Sequence, residues 1–470
     1  MEVAGILISL ILLMVFAYRG YSVIILSPIF ALLCAFIAGL PLMPAYTELF
    51  MTKAVIYVKS FFPAFLLGAV FGKIMEETGM ARSIAHTIIG KLGRGRAILA
   101  VVISGAVLTY GGVSLFVVVF AIYPLASSLF READIPKRLI PGTIALGAFT
   151  FTMDAMPGTP QIQNIIPTSY FGTNIYAAPW LGIIGSVGIL ILGLSYLEWC
   201  RKGAAARGEG YGKHTLNEPD STENTTPVKF IVAILPLIAV LALNFFFVNM
   251  FKWQAALLEP FKTLHLPLMV PGIANVVSIW SLTIALVCGI ILAIGLGYTN
   301  LTSYAFKKAK LTKTMELGIV GSLVAIMNTA SVVGYGNVVA SLDGFKSISS
   351  ALMGIKIGGT PLMSEAISIT TLSGITGSAS GGLSIALDLM GKYWLEWSQT
   401  IGMSPEVLHR VAAMASGGID TLPHNGAVIT LLLVCGLTHR DSYKDILAMT
   451  AVKTIMVFVV IAIYSFTGIV

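Results

Sequence analysis

"FTFTMDAMPGTPQIQNIIPTSYFG", residues 149–172, sets one aspartate, three prolines, two glutamines and an asparagine inside an otherwise greasy chain. A membrane helix would run on through apolar residues here. Proline removes a backbone donor and glycine frees φ, so this stretch breaks its helix and bares polar backbone. At membrane depth, non-helical backbone persists only where protein buries it or where it lines a wet cavity. The reading that follows is a membrane helix broken to build a site.

The surroundings agree. The chain has 470 residues, is 56% hydrophobic and only 11% charged, and its mean hydropathy is +0.89. Soluble domains are about 25% charged, and apolar runs of about 20 residues, the length needed to cross a bilayer, recur throughout. The fold class is all-α, a polytopic membrane protein. Spans are expected at about 3–18, 21–41, 57–76, 178–200, 228–250, 269–297, 315–342 and 445–469. The opening "MEVAGILISLILLMVFAYRG" lacks a basic n-region and reads as a first span, not a cleavable signal. Cys34, Cys200, Cys288 and Cys435 show no metal spacing, so no metal or cofactor is expected. The formal charge of +7 orients spans and carries no sign of nucleic acid.

Four less regular segments, 97–130, 139–165, 361–400 and 406–436, are rich in Gly, Ser, Thr and Pro, and a polar linker at 201–227 separates two halves. The halves look related. Gly111 and Ser114 of "YGGVSLF" match Gly381 and Ser384 of "SGGLSIA"; Pro136 matches Pro405; Asp154 and Pro157 match Asp420 and Pro423. The expected organisation is a first repeat at 1–200, the linker, and a second repeat at 228–470. Each repeat has about five crossings, a re-entrant hairpin and a broken helix, the second inverted relative to the first. With both termini outside, most of the 29 basic residues, Lys453 among them, fall on the cytoplasmic side with the linker. The hairpin at 97–130 then enters from the cytoplasm and that at 361–400 from outside.

In broken membrane helices, half-helix N-termini face anions and freed carbonyls hold cations. The first break offers Thr152, Pro157, Gly158, Thr159, Gln161, Gln163 and Asn164, and the second, "SGGIDTLPHNGA", offers His424 and Asn425. The hairpin tips add Thr109, Tyr110, Gly111, Gly112 and Ser114, then Ser378, Ser380, Gly381, Gly382 and Ser384. Backbone N–H groups and hydroxyls in such turns suit a carboxylate; close helix packing by small residues is the alternative. Asp154 and Asp420 are intramembrane acids, functional by default, as proton or sodium carriers or as caps of the following half-helix. His424 adds a group that titrates near neutral pH. Lys356, Glu365 and Arg410 read as structural ion pairs or interfacial residues, Asn328 and Asn337 as a packing face, and Trp199, Trp253, Trp394 and Trp397 as an interfacial belt.

With "FGKIMEETGMARSIAHTIIGKLGRGRAILAVV" at residues 71–102, the Gly-Gly tip and the Pro-Gly break, the chain resembles the gluconate permease (GntP) family of the ion transporter superfamily. Within it, "LTYGGVSLFVVVFAIYPLASSLFREADIPKRLIPGTIAL" is similar to permeases for D-β-hydroxybutyrate. The resemblance implies a bacterial inner-membrane importer of a small carboxylate, coupled to protons and working by an elevator movement in a homodimer. Gly111, Gly112, Ser114, Pro157, Gly158 and Pro160 would line its site, and Asp154, Asp420 and His424 would carry the proton. Gluconate-type members hold Pro-His-Pro-Gly-Pro where this chain has Met156-Pro157-Gly158-Thr159-Pro160, which favours a smaller hydroxy acid. Two other functions stay open: a cation/proton antiporter using the aspartates, and an intramembrane hydrolase with Ser114 or Ser384 as nucleophile and His424 as base. No enzyme activity is expected.

Overall fold

The computed structural model describes residues 2–19, 21–113, 115–214, 218, 228–264, 266, 269, 272–297, 304–355, 357–423 and 425–470. Ser114, Lys356 and His424 lie outside the described residues.

The described residues are helical and contain no strand. The first half runs through α1 (Glu2–Tyr18), α2 (Val23–Ile37), α3 (Met51–Glu77) and α4 (Met80–Leu92). It continues into a helical hairpin, α5 (Ala97–Tyr110) and α6 (Leu115–Glu132). An interrupted helix follows as α7 (Leu139–Ala148), the single turn α8 (Phe151–Asp154) and α9 (Ile162–Phe171), and α10 (Pro179–Ala206) closes the half. The second half repeats this order: α11 (Phe230–Phe245), α12 (Ala274–Gly297), α13 (Tyr304–Ala340) and α14 (Asp343–Met353). Then come the hairpin α15 (Leu362–Thr376) and α16 (Ala379–Thr400), the interrupted pair α17 (Pro405–Ser416) and α18 (Gly426–Cys435), and α19 (His439–Thr467).

Packing repeats as well as order. The counterparts α3 and α13 pack along each other, as do α10 and α19. α2 rests on α13 as α12 rests on α3, and α9 meets α16 as α18 meets α6. Among the described residues, six stretches are long and apolar enough to cross a membrane, within Leu42–Glu77, Pro179–Ala206, Phe230–Met250, Val276–Gly297, Leu311–Ala340 and His439–Thr467. α1 and α2 are shorter, at 17 and 15 residues. Large apolar side chains such as Ile25, Phe36, Ile231 and Ile455 point outward, as lipid contact requires.

Several expectations need correction. The N–H groups at the first tip are not free for a ligand. Those of Gly111, Gly112 and Val113 bond the carbonyls of Val107, Thr109 and Leu108, because the end of α5 consumes them as its own cap. The two Gly-Gly pairs are also out of register. Gly112 turns the first hairpin at φ 91°, whereas Gly377 turns the second at φ 61°. Gly381 and Gly382 lie about one helical turn later, inside α16. There Gly382 is small so that α16 can lie against the backbone of Ser373. Trp394 is no belt residue: it is buried and donates to the Ser364 hydroxyl at 3.1 Å. Nor does the linker begin at residue 201, since α10 runs on to Ala206 and residues 207–214 pack on the loop after the first hairpin.

Candidate functional site

Lys453 lies mid-way along α19, not at a cytoplasmic span end, and only 1% of its side chain is exposed. It was missed because a lone lysine in an apolar run reads as a span end. Its ammonium is 2.9 Å from Asp154 Oδ2 and 3.7 Å from Asp420 Oδ1, and it donates to the Phe149 carbonyl at 2.8 Å. The two helix breaks therefore converge on one buried cation. Asp154 is not an N-cap, since neither of its carboxylate oxygens accepts a backbone N–H. Asp420 Oδ1 likewise accepts no hydrogen bond.

A second buried cation stands beside them. Arg410 is fully buried and donates to the carbonyls of Ala177 (2.7 Å) and Ile175 (3.4 Å), to Asn164 Oδ1 (3.0 Å) and to the Asp154 carbonyl (3.5 Å). It is neither interfacial nor ion-paired through its side chain; it staples the segment after α9 to α17. His409 completes this bracket between Thr173 (2.6 Å) and Asn164 (3.1 Å). Asn164 donates both amide hydrogens, to the Thr159 and Ile175 carbonyls, so its oxygen must be the acceptor and His409 must donate from Nε2. Asn425 repeats the pattern: it donates to the carbonyls of Asp420 and Gly377 and accepts from Ala427 and Val428 as the cap of α18. Asn425 is saturated by backbone, and Asn164 by backbone carbonyls at its amide and by Arg410 and His409 at its oxygen. Thr152 and Thr159 are likewise spent, on the carbonyls of Gly147 and Thr152 at 2.7 Å each.

The first hairpin tip is tied to the first break. The Tyr110 hydroxyl donates to the Pro157 carbonyl (2.9 Å) and the Gln161 amide to that of Thr109 (2.8 Å). Gly158, at φ 81°, donates to the Ile175 carbonyl, and any side chain there would strike Tyr176. Gly111 abuts Leu237 of α11.

Beside this junction lies a cavity of about 660 Å³. Its wall carries Gly112, Pro160, Gln161 and Gln163 on one side. The other side is the later part of α3, with Phe65, Lys73 and Glu76, and of α13, with Ser322 and Asn328. Asn328, expected on a packing face, thus lines space, while Asn337 does pack, donating to the Leu49 carbonyl. Lys73 is neutralised by Glu76 at 2.8 Å. The Gln163 oxygen is buried without a partner, as is the Thr109 hydroxyl.

Beyond it, toward the start of α3, is a second cavity of about 540 Å³ with Lys53, Lys59, Ser169, Tyr170, Thr283 and Asp388 in its wall. Lys53 pairs with Asp388 at 3.2 Å, and Tyr170 donates to the same carboxylate at 2.8 Å. Ser380 of the second tip sits 3.3 Å from Thr329 of α13, and Ser378 accepts from Gly381. Ser384 is buried with no hydrogen-bond partner, so no base activates it. Among the described residues no group of His, Cys, Asp and Glu has the arrangement of a metal site, and the cysteines are free thiols.

Comparison with known proteins fits this architecture. The family model described as GntP family permease matches residues 1–286. The chain is 51% identical, over the whole of both sequences, to the uncharacterised transporter YxjC of Bacillus subtilis (strain 168). It is 33% identical over 129 residues to the high-affinity gluconate transporter of Escherichia coli (strain K12), 27% of this chain and 26% of that one. Among solved structures, the YdaH transporter of Alcanivorax borkumensis, described as having an unusual topology, superposes at a TM-score of 0.53. It has 15% identity and covers 88% of this chain and 86% of its own. The chain is a multi-pass membrane protein that belongs to the GntP family of permeases.

Proposed function

We propose that this protein is a secondary importer of a small hydroxycarboxylate, D-3-hydroxybutyrate before gluconate, driven by proton symport. The buried Asp154–Lys453–Asp420 group, held where the two broken helices meet, carries the reading. With Arg410 nearby, two acidic and two basic side chains balance. A proton and a monovalent anion can then enter together without leaving net charge in a low-dielectric interior.

The larger cavity supports the substrate class. Gln161, Gln163 and Asn328 supply amide contacts while Ala64, Phe65 and Ala325 present apolar surface, which suits a short hydroxy acid with a methyl end. Gluconate, the substrate named for the E. coli relative, would leave more hydroxyls without partners. The two cavities lie at successive levels of the α3–α13 pair, between it and the bundle of hairpins and interrupted helices. Movement of that bundle along the pair, with the halves inverted and the protein a homodimer in the bacterial inner membrane, would expose the site to each side in turn. Sodium is the alternative coupling ion.

The test is uptake of labelled D-3-hydroxybutyrate into proteoliposomes under an imposed pH gradient. Accumulation that collapses with the gradient and ignores sodium is the expected result. Accumulation that follows gluconate or sodium instead moves the assignment to those ligands.

A further inference from the structure

Glu365 lies in α15, the first arm of the second hairpin, and is 0% exposed. Neither of its carboxyl oxygens has a hydrogen-bond partner, and no ion pair reaches it. The Ser368 hydroxyl, one turn on and on the same face, is also buried without a partner. The sequence placed Glu365 in an ion pair or at an interface; the structure shows neither.

α15 packs on α1, α14, α16, α17 and α19. Among the described residues, several charged groups on these helices are committed elsewhere. Asp388 holds Lys53 and Tyr170, and Lys392 pairs with Glu396. Glu406 accepts from Ala178, and Arg410 is spent on carbonyls and Asn164. Asp445 meets Arg138 and Tyr196, and Lys453 serves the two aspartates. An ionised carboxylate enclosed with no counter-charge is too costly to persist. A bound metal cation would want about six oxygens, and among the described residues no group of three or more His, Cys, Asp and Glu side chains gathers around Glu365.

We propose that Glu365 is a proton-binding site of the second hairpin, separate from the Asp154–Lys453–Asp420 group. It holds a proton while enclosed as seen here, and exchanges it with water on each side in turn as the hairpin bundle moves that face from one side to the other. The carboxylate gains a proton from water on one side and loses it to water on the other, with no redox change. This rests on the hairpin bundle being the moving part. One proton then travels beyond the one that balances the anion, so each cycle carries net positive charge.

Two measurements test it. Infrared difference spectra of the purified protein in nanodiscs at neutral pH, wild type minus Glu365→Gln, should show the band of a carboxylic acid free of hydrogen bonds, indifferent to replacing sodium with choline. This arm needs no substrate, so it stands even if D-3-hydroxybutyrate proves the wrong ligand. In proteoliposomes, wild-type uptake should speed up under an inside-negative potential. Glu365→Gln should lose that response while melting like wild type, and Glu365→Asp should retain it. Absence of the band, its dependence on sodium, or a Glu365→Gln protein that still responds to potential would overturn the proposal.

Discussion

Lys453 decides how Asp154 and Asp420 are to be understood. If the aspartates carry the proton, Asp154→Asn and Asp420→Asn should each keep substrate exchange across the membrane and lose pH-driven accumulation. Loss of stability with accumulation intact would mean they only hold the fold. Lys453→Met removes the cation from between two buried carboxylates, which costs about 3–5 kcal/mol when one partner of a buried pair is lost. Its thermal midpoint should fall clearly, and Lys453→Met with Asp154→Asn should recover part of the loss, because the second change removes an uncompensated charge. The aspartates were legible in the sequence because acids are rare inside membrane segments. The lysine was not, since its meaning comes from α19 crossing both breaks.

At the scale of the element, helix positions could be read closely and hairpin geometry could not. Apolar runs bounded by Gly and Pro gave the apolar cores of α3, α10, α12, α13 and α19. However, α13 starts well before the expected residue 315, and α3 and α19 also start earlier than expected. The tip matched on paper, Gly-Gly against Gly-Gly, fails in space because the two pairs do different jobs. Gly112 supplies a left-handed turn, and Gly382 supplies clearance between α15 and α16. Gly382→Ala should therefore splay the second hairpin against the Ser373 backbone and abolish transport. Gly158→Ala combines a left-handed backbone, worth about 1–2 kcal/mol against an L side chain, with overlap at Tyr176. It should lower the melting temperature and weaken the bond from Gly158 to Ile175. A Gly158→Ala protein that melts and transports as wild type does would contradict that account.

For the whole molecule, two contacts tie parts that were separate in the sequence. The Lys53–Asp388 pair links α3 to the second hairpin across the smaller cavity. With Asp388→Asn, a cysteine placed at Ser169 should react faster with a membrane-impermeant maleimide; an unchanged rate would show that the pair does not hold that cavity closed. On the linker, Glu209 receives Arg138 at 2.6 and 3.1 Å. Glu218 receives Lys137, 2.8 Å away, and Arg131. Hydrogen bonding by Arg138 holds the Glu209 carboxyl below its usual 4.5. For Glu218, burial works the other way but the Lys137, Arg131 and Tyr211 contacts outweigh it, so its carboxyl is lowered too. Both groups thus stabilise the docked linker above the ordinary carboxylate range, and that contribution disappears as pH falls through their lowered values. Protection from hydrogen exchange at residues 207–214, taken relative to the intrinsic amide rate at each pH, should fall when pH drops below about 4 and stay flat between pH 6 and 8.

By itself the sequence determined a helical membrane protein with hairpin segments, broken helices and acids at the breaks. All of these follow from local composition and spacing, which hydrocarbon solvent enforces strictly. Only the tertiary structure decided what each polar group is for. Folding spent Asn164, Asn425, Thr152 and Thr159 on freed backbone, set Lys453 between two aspartates, and left Glu365 and Gln163 without partners. Whether a buried polar group binds a ligand depends on what remains unpaired after the backbone has been satisfied, and that balance is drawn across helices hundreds of residues apart.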